Sequence, residues 1–332
     1  MEKPGSAQIR TEPLMQKKQI LGSLSFCCPR CHECFLEYRE NGLCCKDCNH
    51  CYSVVNGVPV LINDENSVFA AADFEEPSSY EGASYGSSFD RSSGLRLAYR
   101  RAVHVLTEFG VRSDVFDVDA ALKIICMGAY RPKILVIGAG VVRYSQNAEF
   151  VYTDVAFSSG LSAVVDAHDL PFSDGNFDMV LAIAVLEHVV DPPRVVGEIW
   201  RVLNSTGKVF AVTPFLQPVH MGAYDFTRYT LLGHRRLFRR FHEDLSGMAV
   251  GPGAVAGLSL RSLLLSFSNN HNYRRFANLL GIILSVPLKL LDHFTRNSRS
   301  SLDGAGGFFF FGQKQTEILS DRELIGLYRG GF

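Results

Sequence analysis

Eight of the nine cysteines in this chain of 332 residues are concentrated near its N-terminus. They include two Cys-x-x-Cys pairs that are joined by a short loop. This spacing is typical of two knuckles that supply four thiolates to a tetrahedral zinc ion. In a chain without an obvious secretory leader, we expect metal binding rather than a disulfide framework.

Two registers of the cysteines satisfy this spacing. One uses Cys28, Cys31, Cys45 and Cys48, and the other uses Cys31, Cys34, Cys48 and Cys51. The residue after the second cysteine of a knuckle often needs a left-handed backbone, which His32 and Asn49 tolerate better than Phe35 and Tyr52. We therefore predict that the first set holds a structural Zn²⁺.

A second group of residues has the types and order of a nucleotide-like binding site. An apolar run begins at Lys133 and ends in the turn Gly138-Ala139-Gly140, where glycine lets the backbone approach a ligand closely. Asp154 closes the next predicted strand, where a carboxylate can accept both ribose hydroxyls. A nicotinamide-binding domain begins in the same way, but the third glycine of its motif is missing here.

The following segments resemble the core of ubiquinone-biosynthesis-type methyltransferases. They are Asp-Ala-His-Asp-Leu-Pro-Phe at 166–172, Leu-Glu-His at 186–188 and the helix and turn at 198–208. The resemblance covers roughly residues 133–240 and implies a class I enzyme that uses S-adenosylmethionine. It implies that Asp166 reaches the adenine amino group, that the backbone of Ala167 and His168 seats the ring, and that Ala182 is a cofactor contact.

The N-terminal segment resembles the ribbon of the zinc-containing tRNA-methyltransferase activator family. The resemblance rests on Cys-Pro-x-Cys, the second Cys-x-x-Cys, an aromatic residue and Asn-Gly-Val-Pro-Val-Leu-Ile at 56–62. In such a ribbon, the bound metal stabilises a segment that is too short to form a hydrophobic core. The ribbon can also recruit a substrate or partner. We expect the unused cysteines to be free thiols; they are Cys27, Cys34, Cys44 and Cys51.

The loop after the fifth predicted strand is rich in residues that titrate or form hydrogen bonds. Methyl transfer requires an oriented nucleophile and, for a hydroxyl or amine, removal of its proton. We predict His220 as the general base, with His188 as the second candidate. Asp225, Arg228 and Tyr229 resemble a pattern in uncharacterised glycan-cluster methyltransferases, and we expect them to position the substrate or the loop.

Elements that could hold these residues follow a strand and helix rhythm. Apolar runs predict strands at 133–138, 150–155, 162–166, 177–184, 208–213 and 307–314, and helical spacing predicts helices at 95–109 and 193–203. The predicted fold is α/β, a Rossmann-like doubly wound seven-stranded methyltransferase sheet. The predicted units are a flexible N-terminus at 1–23, a zinc ribbon at 24–64, a linker at 65–93, the catalytic core at 94–257, a helical insertion at 258–303, and a terminal strand and tail at 304–332.

The helical insertion is rich in Leu, Ile and Phe. Its longest apolar stretch, 279–288, is interrupted by Ser285 and Pro287, so we expect no transmembrane helix. The insertion is then either a lid or a peripheral membrane contact. The first twenty residues are polar, and we expect a cytoplasmic protein that is able to associate with a membrane.

The formal net charge of −1 argues against nucleic acid as a partner, because dedicated nucleic-acid binders normally carry an excess of basic residues. We therefore expect methyl transfer to oxygen or nitrogen of a small-molecule, glycan or lipid-linked acceptor. Val141 and Val142 replace the small residues usual after Gly-x-Gly, and the first helix looks truncated. These departures favour an alternative, a methyltransferase-like partner or scaffold protein with weak or no catalysis, and the ribbon suggests a further alternative, an RNA methyltransferase.

Overall fold

The computed structural model describes residues 26–33, 36–39, 42–74 and 116–331. The helix predicted at 95–109 and residue Cys34 lie outside the described residues, as do the predicted N-terminal segment and most of the predicted linker.

The described strands and helices alternate along most of the chain. The strands are β1 (Leu36–Arg39), β2 (Gly42–Cys45), β3 (Cys51–Tyr52), β4 (Val54–Val55), β5 (Val58–Leu61), β6 (Lys133–Ile137), β7 (Glu149–Asp154), β8 (Ala163–Val165), β9 (Phe177–Ile183), β10 (Leu203–Pro214), β11 (Phe241–Val250) and β12 (Gly307–Lys314). The α-helices are α1 (Val118–Ile125), α2 (Pro192–Val202), α3 (Leu231–Leu237), α4 (Pro252–Ser266), α5 (His271–Thr295), α6 (Ser300–Asp303) and α7 (Asp321–Ile325).

The main sheet has the strand order β11-β12-β10-β9-β6-β7-β8-β5-β4. Strands β10, β9, β6, β7, β8 and β5 are parallel, whereas β12 runs antiparallel to both of its neighbours. The order reverses at β6 and β9, and ligands of such sheets bind at the carboxyl ends of the strands at this point. The predicted α/β methyltransferase fold is confirmed.

Alternating side chains of β6 build the two sides of the core. Leu135 and Ile137 pack toward α2, which buries Ile199 on the same side. Ile134 and Val136 point to the opposite side, where Leu122 of α1 is buried with them. The central strand is covered on both faces, so its near-continuous apolar sequence is the one expected for a buried parallel strand.

The connection from β6 to β7 departs from a regular doubly wound fold. Residues 138–148, all of them described, contain no helix, and Val141 and Val142 are 71% and 52% exposed. The sequence predicted a truncated first helix, and the structure shows a loop. The few residues between the glycine turn and β7 are needed to return the chain to the other end of the sheet.

The N-terminal segment adds β5 and β4 to the predicted sheet of seven strands, so that the main sheet has nine strands among the described residues. Val60 and Leu61 of β5 pair in parallel with Val164 and Val165 of β8, and β4 pairs with β5. Strand β8 would otherwise present an unpaired edge to solvent. The boundary predicted at residue 64 therefore does not separate two independent sheets.

Helices α4 and α5 form a hairpin after β11. A Cβ atom on Gly253 would lie 2.1 Å from the Leu288 carbonyl oxygen, and one on Gly257 would lie 2.6 Å from the Ser285 Cβ, so glycine permits this close packing. Pro287 lies inside α5 and does not end it. Ser285 and Pro287 therefore interrupt the apolar stretch in composition but do not interrupt the helix.

Among the described residues, α5 alone is long and apolar enough to cross a membrane, judged by length and composition. One third of its most apolar window is buried in the protein. The hairpin also exposes large side chains, namely Leu263, Phe267, Phe276, Leu279, Ile283, Leu284, Leu290, Leu291 and Phe294.

Candidate active site and cysteine centre

The four predicted zinc ligands converge at the end of the small sheet formed by β1, β2 and β3. The Sγ atoms of Cys28 and Cys48 are 3.7 Å apart, those of Cys31 and Cys45 are 3.5 Å apart, and all four lie within 4.8 Å of one another. Four thiolates at about 2.3 Å from a tetrahedral zinc ion lie about 3.8 Å from one another. The cluster therefore has the dimensions and donor chemistry of a closed zinc site.

The backbone agrees with the sequence argument for this register. His32 and Asn49 have φ angles of 61° and 58°, in the left-handed region predicted for the residue after each knuckle. Cys44 and Cys51 face each other across β2 and β3 and form a disulfide. The prediction that these two cysteines are free thiols is therefore wrong in the structure, because the antiparallel register places them directly opposite each other.

The ribbon is seated on the segment that follows β8. The Cys27 amide donates to the Pro171 carbonyl oxygen at 2.9 Å, and the rings of Phe26 and Phe172 lie 5.7 Å apart. The Asn63 amide group donates to a carboxylate oxygen of Asp169 at 3.0 Å. The cysteine centre thus supports the 166–172 segment, which carries three of the predicted cofactor residues.

The glycine turn after β6 is stabilised by Asp154 at the end of β7. One carboxylate oxygen of Asp154 accepts from the Gly140 amide at 2.7 Å, and the other accepts from the Ala156 amide at 3.1 Å. Burial raises the pKa of this carboxyl group. Gly138 has a φ of 63°, and a Cβ atom there would lie 2.4 Å from a methyl carbon of Val185. Glycine is therefore required at this position by conformation and by space.

Asp166 lies at the end of β8, where its charge is stabilised by hydrogen bonds. Although burial opposes ionisation, hydrogen bonds from His168 lower the pKa of Asp166; the His168 amide donates at 3.0 Å and its Nδ1 at 2.6 Å. The Ser67 hydroxyl donates to the other carboxylate oxygen. His168 Nε2 accepts from the Asp191 amide at 3.1 Å, so both ring nitrogens of His168 are engaged.

A pocket joins these residues at the carboxyl ends of the parallel strands. It is lined by Val68, Phe69, Ile137, Gly138, Asp154, Val155, Val165, Asp166, Ala167, His168, Val185, His188, Val189, Val190 and Tyr224. The Phe69 ring stacks on Tyr224 with centroids 5.6 Å apart. Of the predicted cofactor residues, Ala182 is fully buried in β9, and neither it nor Ala139 nor Gly140 lines the cavity.

His188 and His220 come together around Glu187 beside this cavity. Their ring centroids are 4.8 Å apart, and the Nε2 atoms of His188 and His220 lie 3.7 and 3.8 Å from Glu187 Oε1. His188 Nδ1 donates to the Tyr224 carbonyl oxygen at 2.7 Å. Because burial lowers the pKa of His188, the ring is neutral near pH 7 and its Nε2 carries a lone pair.

Glu187 is the least expected member of this group. The residue is 1% exposed, and neither carboxylate oxygen has a hydrogen-bond partner among the described residues. Burial raises its pKa to about 7. The sequence string Leu-Glu-His contained Glu187, but nothing in the string showed that its side chain would be buried between two imidazoles.

Asp225 and Arg228 brace the loop that carries His220. The Arg228 guanidinium donates to Asp225 at 2.7 Å and holds the pKa of that carboxyl group at about 2. Asp225 also accepts from the His220 amide at 2.9 Å, and its carboxylate lies 3.4 Å from His220 Nδ1. Tyr229 lies apart from this group, in a separate cavity with Pro193.

The end of β9 shows a further feature that the sequence did not reveal. Ala184 has a φ of 54°, a conformation that residues other than glycine adopt rarely. Its amide donates to the Val212 carbonyl oxygen at 2.9 Å. This turn leads directly into Val185, which contacts the glycine turn, and into Glu187 and His188.

Residues 131–211 match the family model of a methyltransferase domain. The chain contains a methyltransferase domain. The match covers β6 to β10, which are the strands that surround the cavity. The chain is also similar to several solved structures at low sequence identity.

One of them is a candidate sarcosine dimethylglycine methyltransferase from Galdieria sulphuraria, with 14% identity over 71% of this chain and 93% of that chain and a TM-score of 0.40. A second is a chain from the complex between the Haloferax volcanii Trm112 methyltransferase activator and a methyltransferase, with 14% identity over 66% and 96% and a TM-score of 0.39. A third is phosphoethanolamine N-methyltransferase 2 of Haemonchus contortus, with 15% identity over 59% and 52% and a TM-score of 0.37.

Proposed function

We propose that the methyltransferase transfers the methyl group of S-adenosylmethionine to oxygen or nitrogen of a small-molecule, glycan or lipid-linked acceptor. The observation that carries this proposal is the position of the Glu187, His188 and His220 cluster at the edge of the cavity lined by Gly138, Asp154 and Asp166. The predicted cofactor-binding residues are thus adjacent to groups that are able to accept or donate a proton.

The cofactor would lie across the carboxyl ends of β6, β7 and β8. Asp154 is placed to accept the ribose hydroxyls, since each carboxylate oxygen makes one backbone hydrogen bond and keeps a second lone pair. Gly138 leaves room for the backbone to approach the ligand. Asp166, with Ala167 and His168, would contact the adenine ring.

His220 would remove the acceptor's proton. Its Nδ1 side faces the Asp225 carboxylate, which orients the ring and stabilises the imidazolium that forms, while Nε2 is left to accept the proton. The acceptor atom then attacks the methyl carbon in line with the departing sulfur, and the sulfonium charge disappears. His188 would hold the acceptor at the cavity edge.

The apolar hairpin favours an acceptor presented at a membrane. No residue of α4 or α5 is among the described residues that line the cavity, so the alternative of a lid has no support from contacts. Exposed Phe and Leu side chains are suited to the boundary between lipid headgroups and acyl chains. A zinc ion in the four-thiolate centre would hold the ribbon against the cofactor-binding segment.

The test is methylation profiling with isotopically labelled S-adenosylmethionine, applied to metabolite, glycan, lipid and RNA fractions. We expect label in one of the first three fractions; label in RNA alone would contradict the proposed acceptor class. On the identified acceptor, His220→Ala should lower kcat by roughly 10²–10⁴-fold with little change in cofactor affinity. The control is His242→Ala, which alters an exposed histidine on β11.

One observation favours a second candidate function, that of a partner or scaffold protein with weak or no catalysis. The loop at 138–148 has no helix whose N-terminus could face the cofactor, and it exposes Val141 and Val142. Calorimetric titration separates the two candidates. Micromolar binding of S-adenosylmethionine supports the enzyme, and no measurable binding supports the scaffold.

A further inference from the structure

We infer that Glu187, His188 and His220 form a binding site for a divalent transition-metal ion, separate from the four-cysteine centre. The inference about metal binding rests on the geometry of these three residues. Only its consequence for catalysis rests on the proposed function.

The first argument is the convergence of three ligand atoms of suitable chemistry. One oxygen or nitrogen atom from each residue lies within 4.8 Å of the other two, and both imidazole Nε2 atoms face Glu187 Oε1 at 3.7 and 3.8 Å. Ligands at about 2.0–2.2 Å from a common metal ion lie about 3.0–3.4 Å from one another. Closing the site would therefore shorten the two Glu187 distances by a few tenths of an ångström, and any pair of ligand atoms at the 4.8 Å limit by about 1.4 Å.

The second argument is the carboxylate of Glu187. A buried carboxylate is normally paired or hydrogen-bonded, because leaving it without partners costs free energy. Glu187 is 1% exposed and has no hydrogen-bond partner among the described residues. Arg228 does not fill this role, since its guanidinium is bonded to Asp225 and to backbone carbonyl oxygens. A bound cation would satisfy the carboxylate.

The third argument is the arrangement of oxygen atoms behind the two imidazoles. Metal-binding histidines usually direct their other ring nitrogen to a carbonyl or carboxylate oxygen, which fixes the tautomer and the ring orientation. Here Nδ1 of His188 donates to the Tyr224 carbonyl oxygen at 2.7 Å, and Nδ1 of His220 lies 3.4 Å from Asp225. Both Nε2 atoms are thereby turned toward Glu187.

The donor set indicates the class of ion. Two imidazoles and one carboxylate leave open coordination positions and suit Zn²⁺, Fe²⁺, Mn²⁺ or Co²⁺, whereas Mg²⁺ and Ca²⁺ prefer sites made entirely of oxygen. An open position beside the cavity would take an oxygen of the acceptor. The site therefore specifies a hydroxyl-bearing acceptor.

The cation would change how the acceptor loses its proton. A hydroxyl bound to a divalent ion has a lowered pKa, so it releases its proton to solvent as it binds. The metal-bound oxygen then attacks the methyl carbon, the carbon–sulfur bond breaks, and the electron pair of that bond remains on sulfur. When the ion is bound, Nε2 of His220 is a ligand and the ion acidifies the hydroxyl; His220 acts as the base, as proposed above, only in the metal-free protein.

The experiment uses the full-length protein, freed of metal by a chelator and then titrated with Co²⁺. Thiolate ligands give Co²⁺ an intense near-ultraviolet absorption, whereas two imidazoles and a carboxylate do not, so the two sites are distinguished by their spectra. We expect the wild type to bind two equivalents of Co²⁺, one at the four-cysteine centre and one at the proposed site. Glu187→Gln, which keeps the size of the side chain but removes the charge, should lose the second equivalent or weaken it by 10–100-fold.

Two control variants test whether the loss of Co²⁺ binding is specific to the proposed site. Cys45→Ser should affect the thiolate spectrum and leave the second equivalent in place. Glu317→Gln, which alters an exposed glutamate, should bind as the wild type does. Circular dichroism and thermal melting of Glu187→Gln would show whether it folds; if it does not, His220→Asn provides the same test from the exposed side of the cluster.

The inference is overturned if the wild type binds only the equivalent with the thiolate spectrum, or if folded Glu187→Gln and His220→Asn both bind Co²⁺ like the wild type. Activity gives an independent readout. Full turnover by chelator-treated enzyme would reject the metal's part in catalysis and leave the proposed methyl transfer standing. Two metal equivalents in a protein that binds no S-adenosylmethionine would reject the proposed function and leave the metal site.

Discussion

His234 offers a quantitative test of how the fold responds to pH. The residue is 2% exposed, and its ring lies 5.2 Å from that of Phe238 and 6.4 Å from that of Phe310. Its Nε2 atom has no hydrogen-bond partner among the described residues. Burial in this aromatic environment lowers the pKa of His234 to about 3, so the folded protein holds the ring in its neutral form.

The direction of the effect follows from the two protonation states. The unfolded chain binds a proton at this histidine below about pH 6.5, whereas the folded protein does so only near its own, lower pKa. Stability is therefore lost as the pH falls below the unfolded value. Between about pH 8 and pH 5.5, this one group should lower the free energy of unfolding by roughly 1.4 kcal/mol.

The variant His234→Phe should remove this contribution. We would measure the free energy of unfolding of wild type and variant in urea at pH 8 and at pH 5.5. For each protein, we would then calculate how much this free energy decreases between the two pH values. Between the two pH values, the free energy of unfolding of the variant should decrease by about 1.4 kcal/mol less than that of the wild type. This difference does not depend on the stability of the variant at the higher pH. His242→Phe, at an exposed position, is the matched control. Equal losses in wild type and His234→Phe would refute the argument that burial keeps His234 neutral.

Three further predictions concern the cysteine centre, the cofactor and the hairpin. Cys28→Ser should lower the zinc content of the ribbon to near zero while Cys34→Ser retains it; the reverse pattern in metal analysis would support the other register. Asp154→Ala should weaken S-adenosylmethionine binding by about 1–3 kcal/mol in calorimetry, and unchanged affinity would remove it from the site. Phe276→Ser combined with Phe294→Ser should reduce sedimentation with anionic vesicles several-fold if the hairpin docks on lipid, and equal sedimentation would argue against docking.

The sequence predicted the parts of the fold whose signals are local. Predicted and observed strands agree closely at Lys133–Ile137 and Gly307–Lys314, and the predicted helix at 193–203 corresponds to α2. These elements are buried apolar runs or have a regular helical period, so burial and periodicity mark them. The left-handed backbone at His32 and Asn49 followed from steric limits on single residues.

What the sequence did not reveal depends on contacts between distant segments. The pairing of β5 with β8 has no local signature, because either strand could equally have been an edge. Proline disfavours a helix interior, yet Pro287 lies inside α5, against which α4 packs closely through Gly253 and Gly257. The environment of Glu187 arises only when the 186–188 turn and the loop carrying His220 meet.

The pairing of β5 with β8 has a consequence for how the protein avoids self-association. Without the ribbon, β8 would expose a row of free amide and carbonyl groups at the margin of a largely parallel sheet, and such a margin invites pairing with another chain. Among the described residues the outermost strand on this side of the sheet is β4, which is two residues long and offers few groups for pairing. The ribbon therefore covers an edge of the sheet that would otherwise be free to pair with another chain. We expect a catalytic domain that lacks the ribbon to aggregate.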